Sequence, residues 1–240
     1  MIGAFLNALG ILLGALAALG WRTPLSARTQ NFAKSALGAL TVFFGLRLVW
    51  QNIGGPATTV LWQLFLALLA VLLGHWLGRL LQLQKTSNWL GRRASERLAA
   101  AQKSPPGKPM AGFTAATVLF CAAPLGILGA VTDGLTGYYY PLALKAVMDG
   151  LAMASFVSLF RWPVALAALP VFIFLTAMAT AVNWFALPGL AEHHLVEPVN
   201  AAAGLIMCAI ALVILSGRRV ELANYLPALM VAPVMAWFIR

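Results

Sequence analysis

The sequence predicts an all-α membrane protein of about eight transmembrane helices, and two observations carry that prediction. Of its 240 residues 62% are hydrophobic and only 9% charged, with a mean hydropathy of +0.88; ordinary soluble domains carry about 25% charged residues. The charges that remain cluster in short segments between long apolar runs. A soluble fold of this length needs polar surface that is missing here, so lipid has to cover what water cannot. The net charge of +10 would suit a nucleic-acid binder. Basic residues confined to the flanks of apolar runs point to membrane contact instead. The expected partners are membrane lipids, with anionic headgroups at the cytoplasmic face, and no nucleic acid.

A hydrocarbon core about 30 Å thick needs roughly 20 apolar helical residues. Eight segments qualify: 2–20, 33–50, 58–83, 113–132, 142–160, 163–187, 198–215 and 222–239. No Lys or Arg precedes the first, so it lacks the positive region of a cleavable signal peptide and is expected to stay as a membrane helix. The second and fifth are short enough to be tilted, broken or partly re-entrant.

The charges test the count. If all eight segments cross, one side collects Arg22, Arg28 and Lys34, seven residues from Arg79 to Lys108, then Arg161, Arg218 and Arg219. The other side holds only Arg47, Lys145 and Arg240. By the positive-inside rule the basic side is cytoplasmic and both termini face out. The aromatics agree: Trp21, Trp50, Trp62, Trp162, Trp184, Trp237 and the run Tyr138–Tyr140 fall near predicted ends, where amphipathic rings form an interfacial belt.

The chain divides on this reading into a first three-span membrane repeat (1–83), a basic cytoplasmic linker (84–110), a second three-span repeat (111–187) and a C-terminal pair of spans (188–240). The linker opens as a basic amphipathic helix and continues as a Pro-rich stretch. It reads as a hinge on the inner leaflet or as a docking site for a cytoplasmic partner. The repeat rests on LGILLGA in the first span and LGILGA in the fourth, each followed by a lysine opening the next span, Lys34 and Lys145. Three intervening spans would place the copies in opposite orientation, the inverted-topology arrangement of many transporters. A further echo, VNAAAGL after Glu197 beside LNALGIL near the start, aligns Asn200 with Asn7.

Charges at membrane depth cost about 2.5–3.5 kcal/mol each on insertion scales, so they are usually paired or functional. Asp149 and Lys145 are four residues apart and share a helix face. Asp149 is expected about one turn inside the outer boundary, either binding an ion or proton with Lys145 as its partner, or anchoring a helix end. Asp133 is a turn former or belongs to the same outward entrance. Asn7 and Asn200 either bridge helices or support an ion. Arg47, His75 and Arg79 are candidate gates or counter-charges against simple snorkelling. Pro124, Gly126 and Gly129 make the fourth span the candidate for a discontinuous helix, with a kinked packing helix as the alternative. The spacings Gly10–Gly14 and Gly74–Gly78 admit close helix approach.

Cys121 and Cys208 lie inside apolar runs without redox or metal-ligand spacing and read as small buried hydrophobes. Glu192, His193, His194 and Glu197 form a solvated outer loop whose spacing enforces no metal geometry. With no HExxH, GxSxG or phosphate-loop pattern, an enzyme is not expected, nor a cofactor or resident metal.

The stretch LFCAAPLGILGAVTDGLTG followed by LALKAVMDGLA, with MIGAFLNALGILLGALAALG at the start and NYLPALMVAPV at the end, resembles the YqgA-like family of bacterial inner-membrane proteins. The resemblance spans the chain, is weakest in the linker, and is carried by Cys121, Gly126, Gly129, Asp133, Gly134, Lys145 and Asp149. It implies a multispanning inner-membrane protein loosely associated with transport, and brings no mechanism with it. Together these readings lead to an expectation of passage of a small inorganic ion or solute, by a channel or secondary transporter, through a homo-oligomer. A membrane scaffold or regulator binding a partner through the basic loop is the competing expectation.

Overall fold

The computed structural model describes residues 2–20, 27–102, 109–216 and 221–239. Trp21, Arg22, Lys103, Lys108, Arg218, Arg219 and Arg240 lie outside these. Every regular element among the described residues is helical. The α-helices are α1 (Ile2–Gly20), α2 (Ala27–Gln51), α3 (Ala57–Leu80), α4 (Leu83–Gln102), α5 (Pro109–Ala122), α6 (Pro124–Thr136), α7 (Tyr140–Phe160), α8 (Ala168–Ala181), α9 (Leu187–Glu192), α10 (Val196–Ser216) and α11 (Ala228–Ile239). Tighter 3-10 turns precede α8 and α11, and a wider π turn joins α8 to α9. Among the described residues seven helical stretches are long and apolar enough to cross a bilayer, and the α5–α6 pair, bent by 57°, makes an eighth if it counts as one span.

The side chains are distributed as lipid solvation requires. Large apolar residues such as Phe5, Leu16, Phe185 and Phe238 stand on the surface, where lipid replaces the protein core as their apolar environment. The interior mixes many alanines and glycines with larger residues such as Ile11, Phe120, Leu142, Met153 and Ile206. Trp50, Trp62, Trp162, Trp184 and Trp237 are all at least half exposed, as an interfacial ring set should be, whereas Tyr138 is buried.

The second and fifth spans differ from expectation: α2 and α7 are continuous helices of 25 and 21 residues. The polar run from Arg28 to Lys34 continues the α2 helix beyond its apolar window. Pro141 near the start of α7 has a fixed φ suited to a first helical turn.

The chain forms two compact units, neither of them one continuous stretch. The first contains Met1–Ser26 and Lys85–Thr180, and the second Ala27–Gln84 and Ala181–Arg240. In the first, α1 packs along α7. Gly3 faces Leu142, Gly10 faces Ala146 and Gly14 faces Gly150, so the two helices advance together and run parallel. A methyl group built on Gly150 would stand 2.6 Å from the Gly10 carbonyl oxygen. Only hydrogen fits there, and the backbones approach closely enough for dispersion to hold them in lipid. Around this pair lie Ala94 of α4, Ala116 and Phe120 of α5, Ala130 of α6 and Val171 and Leu175 of α8.

In the second unit the pairing is antiparallel. Gly45 on α2 meets Gly204 on α10, and Gly38 meets Leu215. On α3, Gly74 faces Ala228 and Gly78 faces Asn224. Ala70, Ala202 and Ala232 form the small apolar centre of this unit.

Candidate functional site

The first unit carries the most unusual interior group of the molecule. Lys145 heads the large side chains that are essentially removed from the surface, and the equally ionic Asp149 is 7% exposed. The i,i+4 spacing on α7 brings the ammonium onto the carboxylate as a buried ion pair. Asp149 also accepts an N–H from the Asn7 amide of α1 at 3.0 Å. The other end of that amide, Oδ1, is buried and has no hydrogen-bond partner among the described residues.

Local sequence explains why this geometry forms. Gly126 on α6 has no side chain where the Lys145 stem passes; a Cβ there would lie 2.8 Å from Lys145 Cε. The Phe120 ring sits 5.7 Å from Nζ, within the range of a cation–π contact. Gly10 and Gly14 let α1 lie against α7, which brings Asn7 to Asp149. The sequence placed Asp149 about one turn below the outer boundary. In the structure it is the tenth residue of the 21-residue α7, roughly 14 Å along that helix. Tyr140 and Pro141, which read as flanking positions, are the first residues of the helix.

The segment expected as the fourth span forms two helices bent by 57°. Ala123 is extended between α5 and α6, with φ −66° and ψ 124°, and Pro124 opens α6. Proline has no N–H to continue the preceding helix and disfavours helical geometry in the residue before it. Gly126 closes the first turn after the break, its N–H donating to the Ala123 carbonyl at 2.9 Å. Gly126 and Gly129 lie inside α6 and face Lys145 and Leu142 of α7. Gly126 therefore shapes the ion-pair pocket by leaving room for the lysine.

Asp133 has a different setting. α6 ends on Gly137 in the left-handed conformation, φ 71°, and the Asp133 carboxylate accepts the Gly3 backbone N–H of α1 at 3.1 Å. It therefore satisfies one of the orphan donors at the start of α1 and places negative charge at the positive end of that helix. Asp133→Ala is expected to destabilise the protein by about 1–2 kcal/mol, read as a fall of several degrees in the melting temperature of detergent-solubilised protein. An unchanged melting curve would remove this role.

The remaining candidates belong to the second unit. Asn200 donates to Asn52 Oδ1 at 3.0 Å, and Asn52 donates to the Leu48 carbonyl at 2.8 Å. Asn52 was missed in the sequence because it follows the apolar run and reads as a turn residue. His75 stacks beside the Tyr225 ring at 4.5 Å, whereas Arg79 and Arg47 are exposed. Lys34, expected as the counterpart of Lys145, is also exposed. A cavity of about 550 Å³ in this unit is lined by Asn52, Trp62, Gln63, His194 and Glu197 among others. His193 packs edge-on against Trp237 at 4.4 Å, and no three His, Cys, Asp or Glu side chains among the described residues converge as metal ligands.

Residues 2–237 match the family described as "Protein of unknown function (DUF554)". The chain belongs to the DUF554 family. Two similar proteins match along essentially the whole chain. The "Uncharacterized protein YqgA" of Escherichia coli K12 is 29% identical over 244 residues, covering 99% of each chain. The "Uncharacterized membrane protein YdfK" of Bacillus subtilis 168 is 25% identical over 247 residues, covering 100% of this chain and 97% of the relative. No solved structure matches. With its apolar helices and a relative described as a membrane protein, this DUF554 member is a multi-pass membrane protein.

Proposed function

We propose that this protein carries a small inorganic ion or small solute across the bacterial inner membrane, as a channel or secondary transporter, at the Asn7–Asp149–Lys145 cluster. The observation that carries the reading is a charge pair buried halfway along a helix long and apolar enough to cross the bilayer. Such a pair costs desolvation energy that apolar residues would not, so its presence at that depth needs a reason beyond packing. Two features support a transport role over a helix anchor. The neighbouring span is broken at Ala123, where opened backbone is tolerated if protein or a water-filled path satisfies it. The Asn7 carbonyl oxygen next to the pair also lacks a donor.

A second reading, a membrane scaffold or regulator working through the basic loop, draws on α4. Within that helix the Arg93 guanidinium lies 4.3 Å from the Trp89 ring centre, giving a basic and aromatic surface that suits anionic headgroups or an acidic partner. One pair of variants separates the two. In liposomes containing the purified protein, a panel of cations and anions is expected to show flux that falls at least tenfold in Asp149→Asn. Charge reversal of the exposed Arg92 and Arg93 to glutamate is expected to leave that flux largely intact. Flux absent from the wild type, with a cellular phenotype that follows this charge reversal, would favour the scaffold.

A further inference from the structure

The cavity of the second unit lies where four helix ends meet. α2 finishes at Gln51 and α11 at Ile239, while α3 begins at Ala57 and α10 at Val196. The antiparallel pairs α2–α10 and α3–α11 bring these ends together around the cavity. On the orientation that the basic residues predict, this end faces outward. A volume of about 550 Å³ falls within the range of small-molecule sites. Part of the wall is small, apolar and buried, from Ala67, Ala201 and Ala232. Asn52, Gln63, His194 and Glu197 supply polar groups, and Trp62 an indole ring. None of these residues belongs to the Asn7–Asp149–Lys145 cluster.

The chemistry of the wall sets the class of ligand. Gln63 accepts the Gly54 N–H at 3.0 Å through Oε1, which leaves its NH2 group to donate. Asn52 accepts from Asn200 at 3.0 Å and donates to the Leu48 carbonyl at 2.8 Å. Asn200 in turn is buried, and its Oδ1 has no hydrogen-bond partner among the described residues. Glu197 is the one carboxylate on the wall, and no lysine or arginine among the described residues lines it. An anionic ligand would meet Glu197 with no base to receive it. A metal ion needs three or more converging ligands, and no such group exists among the described residues. A carboxylate beside an indole face is instead what holds an organic cation.

The turn between α9 and α10 adds an independent observation. The Leu195 N–H donates to the Leu190 carbonyl at 2.8 Å, and the His194 N–H to the Ala191 carbonyl at 3.2 Å. In this kind of helix stop glycine usually holds the left-handed position. Here His194 holds it, with φ 51°, a conformation less favourable for a residue with a Cβ than for glycine. The turn itself gains nothing from the imidazole, which lines the cavity, whereas His193 is packed on Trp237. Backbone strain of this kind clusters where a side chain is used. We propose that the cavity binds a small water-soluble organic monocation, a protonated amine with an apolar body. Glu197 is its counter-charge, the Trp62 ring its cation–π face, and His194 a polar wall that orients it.

The test is a binding measurement, so its failure is distinct from a failure of transport. The full chain in maltoside micelles is titrated calorimetrically with phenylethylamine, phenylethanol and phenylacetate, which share a ring and differ in charge. The amine is expected to bind once per chain, and the alcohol and the acid at least tenfold more weakly. Glu197→Gln and Trp62→Leu, each checked for a monodisperse elution profile, are expected to weaken the amine at least tenfold. His194→Gly is expected to weaken it severalfold while the melting temperature holds or rises, because glycine relieves the left-handed backbone. Equal binding of the three probes would overturn the cation class. Wild-type amine affinity in Glu197→Gln would overturn the site, and in His194→Gly the role of His194. Competition by added phosphatidylethanolamine would assign the cavity to a lipid headgroup and overturn the water-soluble class. No saturable binding of the amine at millimolar concentration would overturn the proposal and leave the transport reading standing.

Discussion

Asp149→Leu alone is expected to be among the most destabilising single changes in the molecule, and adding Lys145→Met to it is expected to restore most of the loss. The single variant strands an ammonium that is 1% exposed beside a leucine. Breaking one side of a buried pair costs about 3–5 kcal/mol in measured cases, because the remaining charge has no partner. In a bilayer the lysine also meets the insertion cost of about 2.5–3.5 kcal/mol. Replacing both partners removes both charges, and such double replacements are often neutral or stabilising. Some cost persists in the double variant, because the Asn7 N–H that Asp149 accepts is then unpaired. The check is a thermal melt of detergent-solubilised wild type, single and double variants. A single variant as stable as the wild type would show that the pair contributes nothing to the fold.

Gly14→Leu is expected to prevent the first unit from assembling. A side chain at Gly14 would be driven into the backbone of Gly150 on α7, where the nearest neighbours are all main-chain atoms. A flexible side chain can move aside, but a helix backbone cannot move without giving up the whole α1–α7 seam. Ordinary overpacking costs about 1–3 kcal/mol, and an insertion against backbone is expected to exceed that. Gly189→Leu serves as the control, because nothing lies within 4 Å of a Cβ at that position. Size-exclusion profiles after mild heating should show Gly14→Leu aggregated and Gly189→Leu like the wild type. Equal behaviour of the two would mean that α1 and α7 do not meet through these glycines.

How much of this was legible in the sequence depended on how local the interaction was. The helices were readable from hydropathy alone, since length and apolarity are properties of each segment. Lys145 and Asp149 were readable as partners because four residues along one helix fix their relation. Asn7 stood out as an amide in an apolar run, yet its partner lies 142 positions away, and no periodicity links the two. The Gly10–Gly14 spacing was visible, but among so many glycines and alanines the identity of the opposing face was not. Gly3 was beyond reach altogether, because a backbone N–H donating to Asp133 leaves no mark on the sequence. The same limit explains Gly126 and Gly129. Glycine within an apolar span reads equally as a breaker or as a place of close approach, and only the position of α7 distinguishes them.

On the proposed transport role, the buried charges serve passage of a solute, and both together can be replaced without loss of the fold. The most direct test of that role is ion flux through the Asp149→Leu/Lys145→Met double variant in liposomes, measured beside the wild type at matched protein density. The double variant is expected to fold, reconstitute and carry no flux above empty liposomes while the wild type conducts. A double variant that folds and still moves the same ion at the wild-type rate would contradict the proposed role.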